Sequence, residues 1–278
     1  RAVNTKCRNS LIIFKKYTLV CLCFLKIYYL VLYYFKTIQK IKLNTEKAIS
    51  LTIILLFIPL FCFGQNLTLS NSGEIGTSGT NWSVNSSSDP IVITVQGGNA
   101  SINTSVIEGY LNLGNNLTVR TLSGSSLGDI ILNSPINKTS DTSSITLKFN
   151  ASNSVIINSK ISQNTGTGQL NLVLDADNRN GSRDGGGIII LNNDLNVNNA
   201  NIFFGIGSLY SGSLTGGDTY INGGSTPVLI TTSGGDIKIQ GELIISNSSS
   251  QGIEISTAGG DFSISGLFNS GNSYSYVS

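Results

Sequence analysis

The sequence contains no histidine and no methionine, and its four cysteines all lie before residue 65. Histidine is the usual general base near neutral pH and the commonest metal ligand, so its absence removes the most frequent routes to both kinds of site. Without cysteine, residues 65–278 can form neither a disulfide framework nor a thiolate metal centre. We therefore predict no cofactor in this region, and only Ca²⁺ at one acidic loop is left open.

Positive charge is also scarce after residue 64. Residues 1–64 carry ten lysines or arginines and one acid, whereas residues 65–278 carry seven basic and fourteen acidic residues. A protein that binds nucleic acid needs a basic patch to neutralise the phosphates. The acidic balance of residues 65–278 therefore excludes nucleic acid as the expected partner.

A short apolar run precedes residue 65. Leu51–Phe63 follows several lysines and is followed by Gly64 and Gln65, which is the arrangement of a secretory signal peptide cleaved after Gly64. With thirteen residues, the run is short for a membrane span, which needs about 20. We therefore predict a signal peptide over residues 43–64.

A second hydrophobic stretch occupies residues 11–35 and is long enough for a membrane helix. The chain begins with Arg1 and contains no methionine, however, which favours translated sequence upstream of the true start. We interpret residues 1–42 as such non-native sequence or as a disordered or hydrophobic leader. The mature chain, residues 65–278, is then expected to have no stable membrane span.

An interval of 25 residues recurs after Gln65 and determines the predicted architecture. It relates Thr232, Gly234, Gly235, Asp236, Ile237, Ile239, Gly241 and Leu243 to Thr257, Gly259, Gly260, Asp261, Phe262, Ile264, Gly266 and Phe268. It also relates Ile130, Ile131, Asn133 and Ile136 to Val155, Ile156, Asn158 and Ile161. A fixed period in this range is typical of a solenoid, whose units bury an apolar face only against their neighbours.

The repeated units are predicted to contain strands, because apolar residues alternate with polar ones in Asp236–Gln240 and Asp261–Ser265. A unit of about 25 residues with two strands and their turns is too short for a crossover helix. No segment after Gln65 shows a sustained helical spacing of apolar residues. The sequence therefore predicts an all-β fold, a parallel β-helix or β-solenoid with about 25 residues per coil.

Several motifs of residues 90–270 form a recognisable series. In order they are Asp129–Ile136, Ser144–Ala151, Val155–Ile161, Leu170–Asp177 and Asp184–Ile190, followed by two Gly-Gly-Asp repeats. The series resembles the repeats of filamentous-haemagglutinin-like exoproteins, which are large secreted bacterial adhesins. The resemblance implies a right-handed β-helix, passage through outer-membrane export machinery, and adhesion as the commonest role.

The same resemblance implies a location and a class of partner. The protein would be secreted or lie on the outer surface of a Gram-negative bacterium and bind a host or neighbouring cell surface, through glycans or matrix. Its signal peptide, ending in Phe63 and Gly64 before Gln65, resembles those of Bacteroidetes. The chain is shorter than such adhesins and stops within the pattern at Ser278, so we expect truncation at the C-terminus.

One acidic loop is a candidate Ca²⁺ site. It contains Asp175, Asp177, Asn180 and Asp184, whose oxygen atoms on a tight turn suit a hard cation. The spacing is one residue off the usual pattern of calcium loops, and Arg179 and Arg183 offer another way to neutralise the acids. A solvated turn with local ion pairs is therefore the alternative.

Other candidate residues have structural interpretations. We interpret the Gly-Gly-Asp sequences as turns, because a strand follows them and a phosphate site would need a helix N-terminus. Trp82, the single tryptophan, is expected to cover the first coil, although it could also stack on a sugar. Asparagines at equivalent positions of successive coils are expected to form hydrogen-bonded ladders.

The sequence thus favours a non-catalytic structural or adhesion module at the cell surface. The alternative is a polysaccharide-active β-helix enzyme, a lyase or glycosidase. A glycosidase needs two carboxylates about 5 to 10 Å apart, and Asp236 and Asp261 on adjacent coils are the candidates. Both acids follow Gly-Gly at turns, and the repeat itself accounts for them.

Overall fold

Short β-strands and one α-helix account for the regular structure in the part of the chain that the computed structural model describes. The described residues are 65–121, 128–177, 187–205, 218–223, 228–247, 253–265, 268–270 and 275–277. The helix, α1, spans Thr104–Asn112. The strands are β1 (Leu67–Glu74), β2 (Ser78–Gly79), β3 (Trp82–Asn85), β4 (Ile91–Val95), β5 (Ala100–Ile102), β6 (Leu117–Arg120), β7 (Ile130–Leu132), β8 (Ile136–Lys138), β9 (Ile145–Asn150), β10 (Val155–Ile157), β11 (Ile161–Gln163), β12 (Leu170–Asp175), β13 (Ile189–Leu191), β14 (Leu195–Asn196), β15 (Ile202–Phe204), β16 (Thr219–Gly223), β17 (Val228–Thr231), β18 (Ile237–Ile239), β19 (Leu243–Asn247), β20 (Ile253–Ser256), β21 (Phe262–Ile264), β22 (Phe268–Ser270) and β23 (Ser275–Val277).

The strands form three sheets that the chain visits in rotation. The first sheet has the order β5-β1-β7-β10-β13-β16-β19-β22, the second β8-β11-β14-β17-β20-β23, and the third β2-β3-β4-β6-β9-β12-β15-β18-β21. From β7 onward, consecutive strands belong to the first, second and third sheet in turn, and each pairs in parallel with the strand three places later. We call one passage through the three sheets a circuit. The fold of the described residues is therefore mostly β with parallel sheets, as predicted.

At both ends of the repeat region, residues that lie 25 positions apart in the sequence are paired in neighbouring strands. Ile130 pairs with Val155 in the first sheet, and Ile237 pairs with Phe262 in the third. Elsewhere the interval differs: Val155 pairs with Ile189, 34 residues later, whereas Thr219 pairs with Leu243, 24 residues later. The extra residues lie in connections between strands, so the inward and outward positions keep their alternation.

Alternation along the strands separates the core from the outer surface. Ile237 and Ile239 are 0% and 2% exposed, whereas the side chain of Lys238 between them is 44% exposed. The inward aliphatic residues of all three sheets belong to one continuous cluster. Burying each such side chain contributes about 1.5 to 3 kcal/mol, which makes this cluster the main source of stability.

The helix α1 was not expected, because no segment after Gln65 shows a sustained helical spacing of apolar residues. The side-chain oxygen of Asn103 accepts the N–H of Ser105 at 3.0 Å and caps its first turn. Ile107 and Leu111, four residues apart, are both buried against the sheets. With nine residues the helix is too short to stand out as a periodic pattern in the sequence. Within the described residues, no helix is long and apolar enough to cross a membrane.

The helix covers the first strand of the second sheet. It packs beside β8, where the Glu108 carboxylate accepts the N–H of Asn137 at 2.8 Å. One turn later, the Asn112 side-chain oxygen accepts the N–H groups of Thr139 and Ser140 at 2.8 and 3.0 Å. These N–H groups point outward from the edge of the sheet, where a neighbouring strand would otherwise accept them. The helix therefore replaces a strand as the partner of this edge.

Antiparallel strands form the end of the third sheet that comes first in the chain. β3 pairs antiparallel with β2 and with β4, in contrast to the parallel pairs that follow. Trp82 in β3 is 2% exposed, and its Nε1 donates to a Glu74 carboxylate oxygen at 2.6 Å. The ring is thus part of the packed end of the fold and presents no face for stacking on a sugar.

Candidate functional site

The structure describes two of the four residues predicted to bind Ca²⁺. Asp175 ends β12, is 1% exposed, and forms an ion pair with Lys148 of the adjacent strand β9, with 3.0 Å between Nζ and Oδ2. Asp177 is fully buried in a left-handed backbone conformation, and its N–H donates to the Asn153 carbonyl at 2.7 Å. A lysine ammonium therefore already balances the charge of Asp175.

The other two predicted ligands, Asn180 and Asp184, lie outside the described residues. In the part of the chain that the structure describes, no three histidine, cysteine or acidic side chains gather as a metal site would require. The Ca²⁺ site thus stays a prediction. Its two described members are both buried, and Asp175 is paired with Lys148.

Asp236 and Asp261, the candidate catalytic pair, belong to a ladder along the outside of the third sheet. In this ladder a side-chain oxygen accepts the backbone N–H of the residue one circuit later. Asn171 accepts from Asn201 at 2.9 Å and Asn201 from Asp236 at 2.8 Å. Asp236 accepts from Asp261 at 3.0 Å. The two acids occupy positions that asparagine holds in the preceding circuits.

The charge state of Asp236 fits this structural role. The hydrogen bond from the Asp261 N–H, together with the ammonium of Lys238 at 3.1 Å, lowers the pKa of the Asp236 carboxyl. A general acid for glycoside hydrolysis requires the opposite shift, because it must hold a proton near neutral pH. The environment of Asp236 therefore suits an ionised hydrogen-bond acceptor.

The Gly-Gly-Asp sequences are turns, as predicted. Gly234 and Gly259 have φ values of 120° and 119°, which only glycine adopts easily. A Cβ atom on Gly235 would overlap the carbonyl oxygen of Ala200 in the previous circuit, and one on Gly260 would overlap that of Gly235. The first glycine thus provides the backbone conformation, and the second allows successive circuits to approach closely.

An asparagine ladder lies on the outside of the first sheet. The Asn158 amide nitrogen donates to the Asn133 side-chain oxygen at 2.9 Å, Asn192 donates to Asn158 at 2.7 Å, and Asn222 donates to Asn192 at 3.0 Å. The repeat of Asn133 at Asn158 in the sequence indicated the first rung. The later rungs could not be found from the sequence, because insertions break the 25-residue interval there.

Sequence patterns gave no indication that Lys138 is buried. It is 0% exposed, and its ammonium donates to the carbonyls of Asp141, Ser143 and Gly168 at 2.9, 3.2 and 2.8 Å. Desolvation lowers the pKa of Lys138, and the negative charge of Asp141 opposes that shift. The side chain satisfies three carbonyls of neighbouring turns, and its role is therefore structural.

A polar cleft of about 690 Å³ lies beside β1. Its walls carry the hydroxyls of Ser70, Ser72 and Thr80, and Glu74 is the single acid among the residues that line it. The Glu74 carboxylate accepts the Thr80 N–H at 2.7 Å as well as the Trp82 indole N–H, and these bonds lower its pKa. The cleft offers hydrogen bonds to a polar ligand but lacks the paired carboxylates of glycoside hydrolysis.

An apolar groove of about 290 Å³ lies between α1 and the turn after β1. Ile75 and Leu113 line it and are 74% and 75% exposed, the highest values for large apolar side chains in the described residues. They lie at the covered end of the fold, next to the helix that replaces a strand.

No protein-family model matches this chain, and neither a curated protein nor a solved structure shows significant similarity to it. The arrangement of its own residues must therefore carry any functional conclusion. The most regular features are the ladders, in which polar side chains link one circuit to the next. They stabilise an extended surface made of similar units.

Proposed function

We propose that residues 65–278 form a right-handed parallel β-helix that serves as a secreted or cell-surface structural and adhesion module. The observation that carries this proposal is the parallel pairing of each strand from β7 onward with the strand three places later. Each circuit would then be one coil, and successive coils would extend a single core. Such a stack holds a surface away from the cell, and small polar residues keep that surface soluble.

The candidate site residues support a non-catalytic role. Asp236 is engaged as an acceptor and ion-pair partner, and Asp175 is paired with Lys148. A glycosidase needs one carboxyl group whose pKa is raised, so that it holds a proton near neutral pH and acts as the general acid. The shifts at Asp236 and Glu74 go in the other direction, toward the ionised form.

The adhesive contact would be weak for each copy and strengthened by multiplicity. Trp82 is buried, so the large aromatic anchor that most often supplies binding energy is not offered to a ligand. The outer ladders present amides and hydroxyls, which bind glycans or matrix through individually small contributions. Many copies on one cell surface would raise the overall affinity through avidity.

Location and activity can be tested together in a Gram-negative host that expresses the chain with a C-terminal epitope. We expect the epitope to be removed when intact cells are treated with protease, whereas a cytoplasmic control protein survives. We also expect no reducing sugar to be released from polysaccharides by the purified protein. An epitope protected until the cells are lysed would contradict the proposed location. Sugar release that disappears in Asp236→Asn would favour the enzyme.

A further inference from the structure

The outer face of the first sheet carries three rows of side chains in strand register. The central row is apolar and consists of Ile131, Ile156, Ile190, Tyr220 and Ile244, which are aligned by parallel pairing. Two residues earlier in the same segments are Asp129, Ser154, Ile188, Asp218 and Glu242. We call these five positions the acidic row after its three charged members, which lie toward the two ends of the row. Two residues later is the amide row formed by the asparagine ladder, Asn133, Asn158, Asn192 and Asn222.

The apolar row is a continuous strip on an outer surface. Its five members are half-buried and lie between inward residues that are buried. At about 4.8 Å per strand, the strip is about 19 Å long. The second sheet differs, because its corresponding outward residues include Asn137, Ser162, Asn196 and Thr231. An apolar strip of this length between polar margins indicates a contact surface.

The two flanking rows have complementary hydrogen-bonding capacity. A carboxylate accepts about four hydrogen bonds, and the Asp218 carboxylate contacts the Glu242 N–H at 3.4 Å. The burial of Tyr220, with the negative charges of Asp218 and Glu242 nearby, raises the pKa of the Tyr220 hydroxyl. On the other margin, Asn158, Asn192 and Asn222 each use one hydrogen of the amide nitrogen to donate to the asparagine of the preceding circuit, and each amide nitrogen carries a second hydrogen.

We propose that this face docks against the same face of a second copy of the chain, with the stacking directions of the two copies parallel. A repeat of about 4.8 Å along the face is matched by another parallel β-sheet, which can place its own rows opposite these rows. A two-fold axis along the stacking direction brings apolar row against apolar row. The same axis places the acidic row of each copy opposite the amide row of the other.

The opposite orientation is disfavoured by charge. If the stacking directions were antiparallel, the acidic rows of the two copies would face each other across the interface. Like charges placed opposite each other cost several kcal/mol and act against such an arrangement. In the parallel arrangement, Asp129 lies opposite Asn133 of the second copy and Asp218 lies opposite its Asn222, so carboxylates meet amide donors.

The size of the face predicts a weak dimer. Five strands at about 4.8 Å and a width of about five residues at about 3.3 Å give roughly 400 Å² for each copy. A stable complex usually buries about 800 Å² on each partner. We therefore expect association in the range of tens to hundreds of micromolar, with monomers at low micromolar concentration.

Sedimentation equilibrium of the purified protein from about 1 μM to about 1 mM tests the proposal. The wild type should shift from monomer to dimer over this range. Ile156→Thr combined with Ile190→Thr should weaken association at least about tenfold, because both changes remove apolar contacts at the centre of the face. The control is Leu229→Thr, an outward aliphatic residue on the second sheet, which should leave association unchanged. Circular dichroism of each variant establishes that it is folded.

Two further measurements test the orientation and the kind of partner. Asp218→Asn preserves shape and should weaken the dimer, because it removes a carboxylate acceptor opposite an amide. Added salt should strengthen the dimer, because residues 65–278 of each copy carry seven basic and fourteen acidic residues and repel each other. A wild type that stays monomeric to about 1 mM would overturn the proposal. So would equal weakening by Leu229→Thr, and a stronger dimer in Asp218→Asn would overturn the parallel orientation.

Discussion

At the scale of single residues, two glycines show how differently the same side-chain change should act. Gly235 lies where a Cβ would overlap the backbone of the previous circuit, whereas Gly109 lies in α1 with open space where its Cβ would be. Gly235→Ala should lower the free energy of unfolding by more than about 2 kcal/mol. Gly109→Ala should raise it by about 0.5 to 1 kcal/mol, because glycine is a poor helix former. Urea denaturation measures both, and equal changes would contradict the assigned turn and helix.

Asp236 provides a pH prediction. In the folded state, the hydrogen bond from the Asp261 N–H and the nearby Lys238 ammonium lower the pKa of the Asp236 carboxyl below its ordinary value of 3.8. The resulting stabilisation is fully present above the unfolded pKa and disappears as the pH falls through the lower, folded value. Wild type should therefore be more stable than Asp236→Asn at neutral pH, and the difference should shrink below about pH 4.

Asn at position 236 keeps an oxygen for the Asp261 N–H, so this comparison isolates the charge. Chemical denaturation at a series of pH values gives the two free energies of unfolding. A difference between wild type and variant that stays constant down to the acid transition would show that the carboxylate is not stabilised in the folded state.

Asp175 leads to a prediction about calcium. Its ion pair with Lys148 already compensates its charge, so adding Ca²⁺ or a chelator should change the melting temperature little. A bound ligand raises stability strongly only when its concentration far exceeds the dissociation constant. Differential scanning calorimetry with each additive makes the comparison. A large rise with Ca²⁺ that vanishes in Asp175→Ala with Asp177→Ala would establish the calcium site instead.

At the scale of elements, α1 is expected to protect the edge of the second sheet. Replacing both Glu108 and Asn112 with alanine removes the acceptors for the N–H groups of Asn137, Thr139 and Ser140. We expect a loss of about 1 to 2 kcal/mol and a greater tendency to aggregate, because the edge becomes able to pair with another chain. Thermal denaturation followed by light scattering would detect both effects.

A matched variant makes this prediction specific to the acceptor. Glu108→Gln keeps an oxygen at the same place and should behave like wild type, apart from the loss of one surface charge. If the alanine variant aggregated no more than the glutamine variant, the helix would have no protective role at this edge.

The elements differ in how far the sequence could predict them. Strands such as β18 and β21 were predictable, because their inward and outward residues alternate and the same pattern returns 25 positions later. The helix α1 was not, because Ile107 and Leu111 are a single pair and nearby alternation looks like strand. The burial of Lys138 could not be predicted either, since it depends on carbonyls from turns that only the folded chain brings together.

At the scale of the whole molecule, the sequence predicted the parallel sheets better than the candidate site. The repeat gave the register wherever the interval is 25, as for Ile130 with Val155. Insertions lengthen other circuits, so the partners of Val155 and Ile202 had to come from the structure. The apolar row of the first sheet also needed this register, because its members are unequally spaced along the chain.

The central claim is that each strand pairs with the strand one circuit later. Scalar couplings across hydrogen bonds in nuclear magnetic resonance test this pairing directly, because they connect a specific amide with a specific carbonyl. We predict couplings from the Asn158 amide to the Leu132 carbonyl, from the Asn192 amide to that of Ile157, and from the Gln240 amide to that of Phe204. Couplings that instead linked consecutive strands, such as β10 with β11, would show hairpins in place of circuits and would contradict the account.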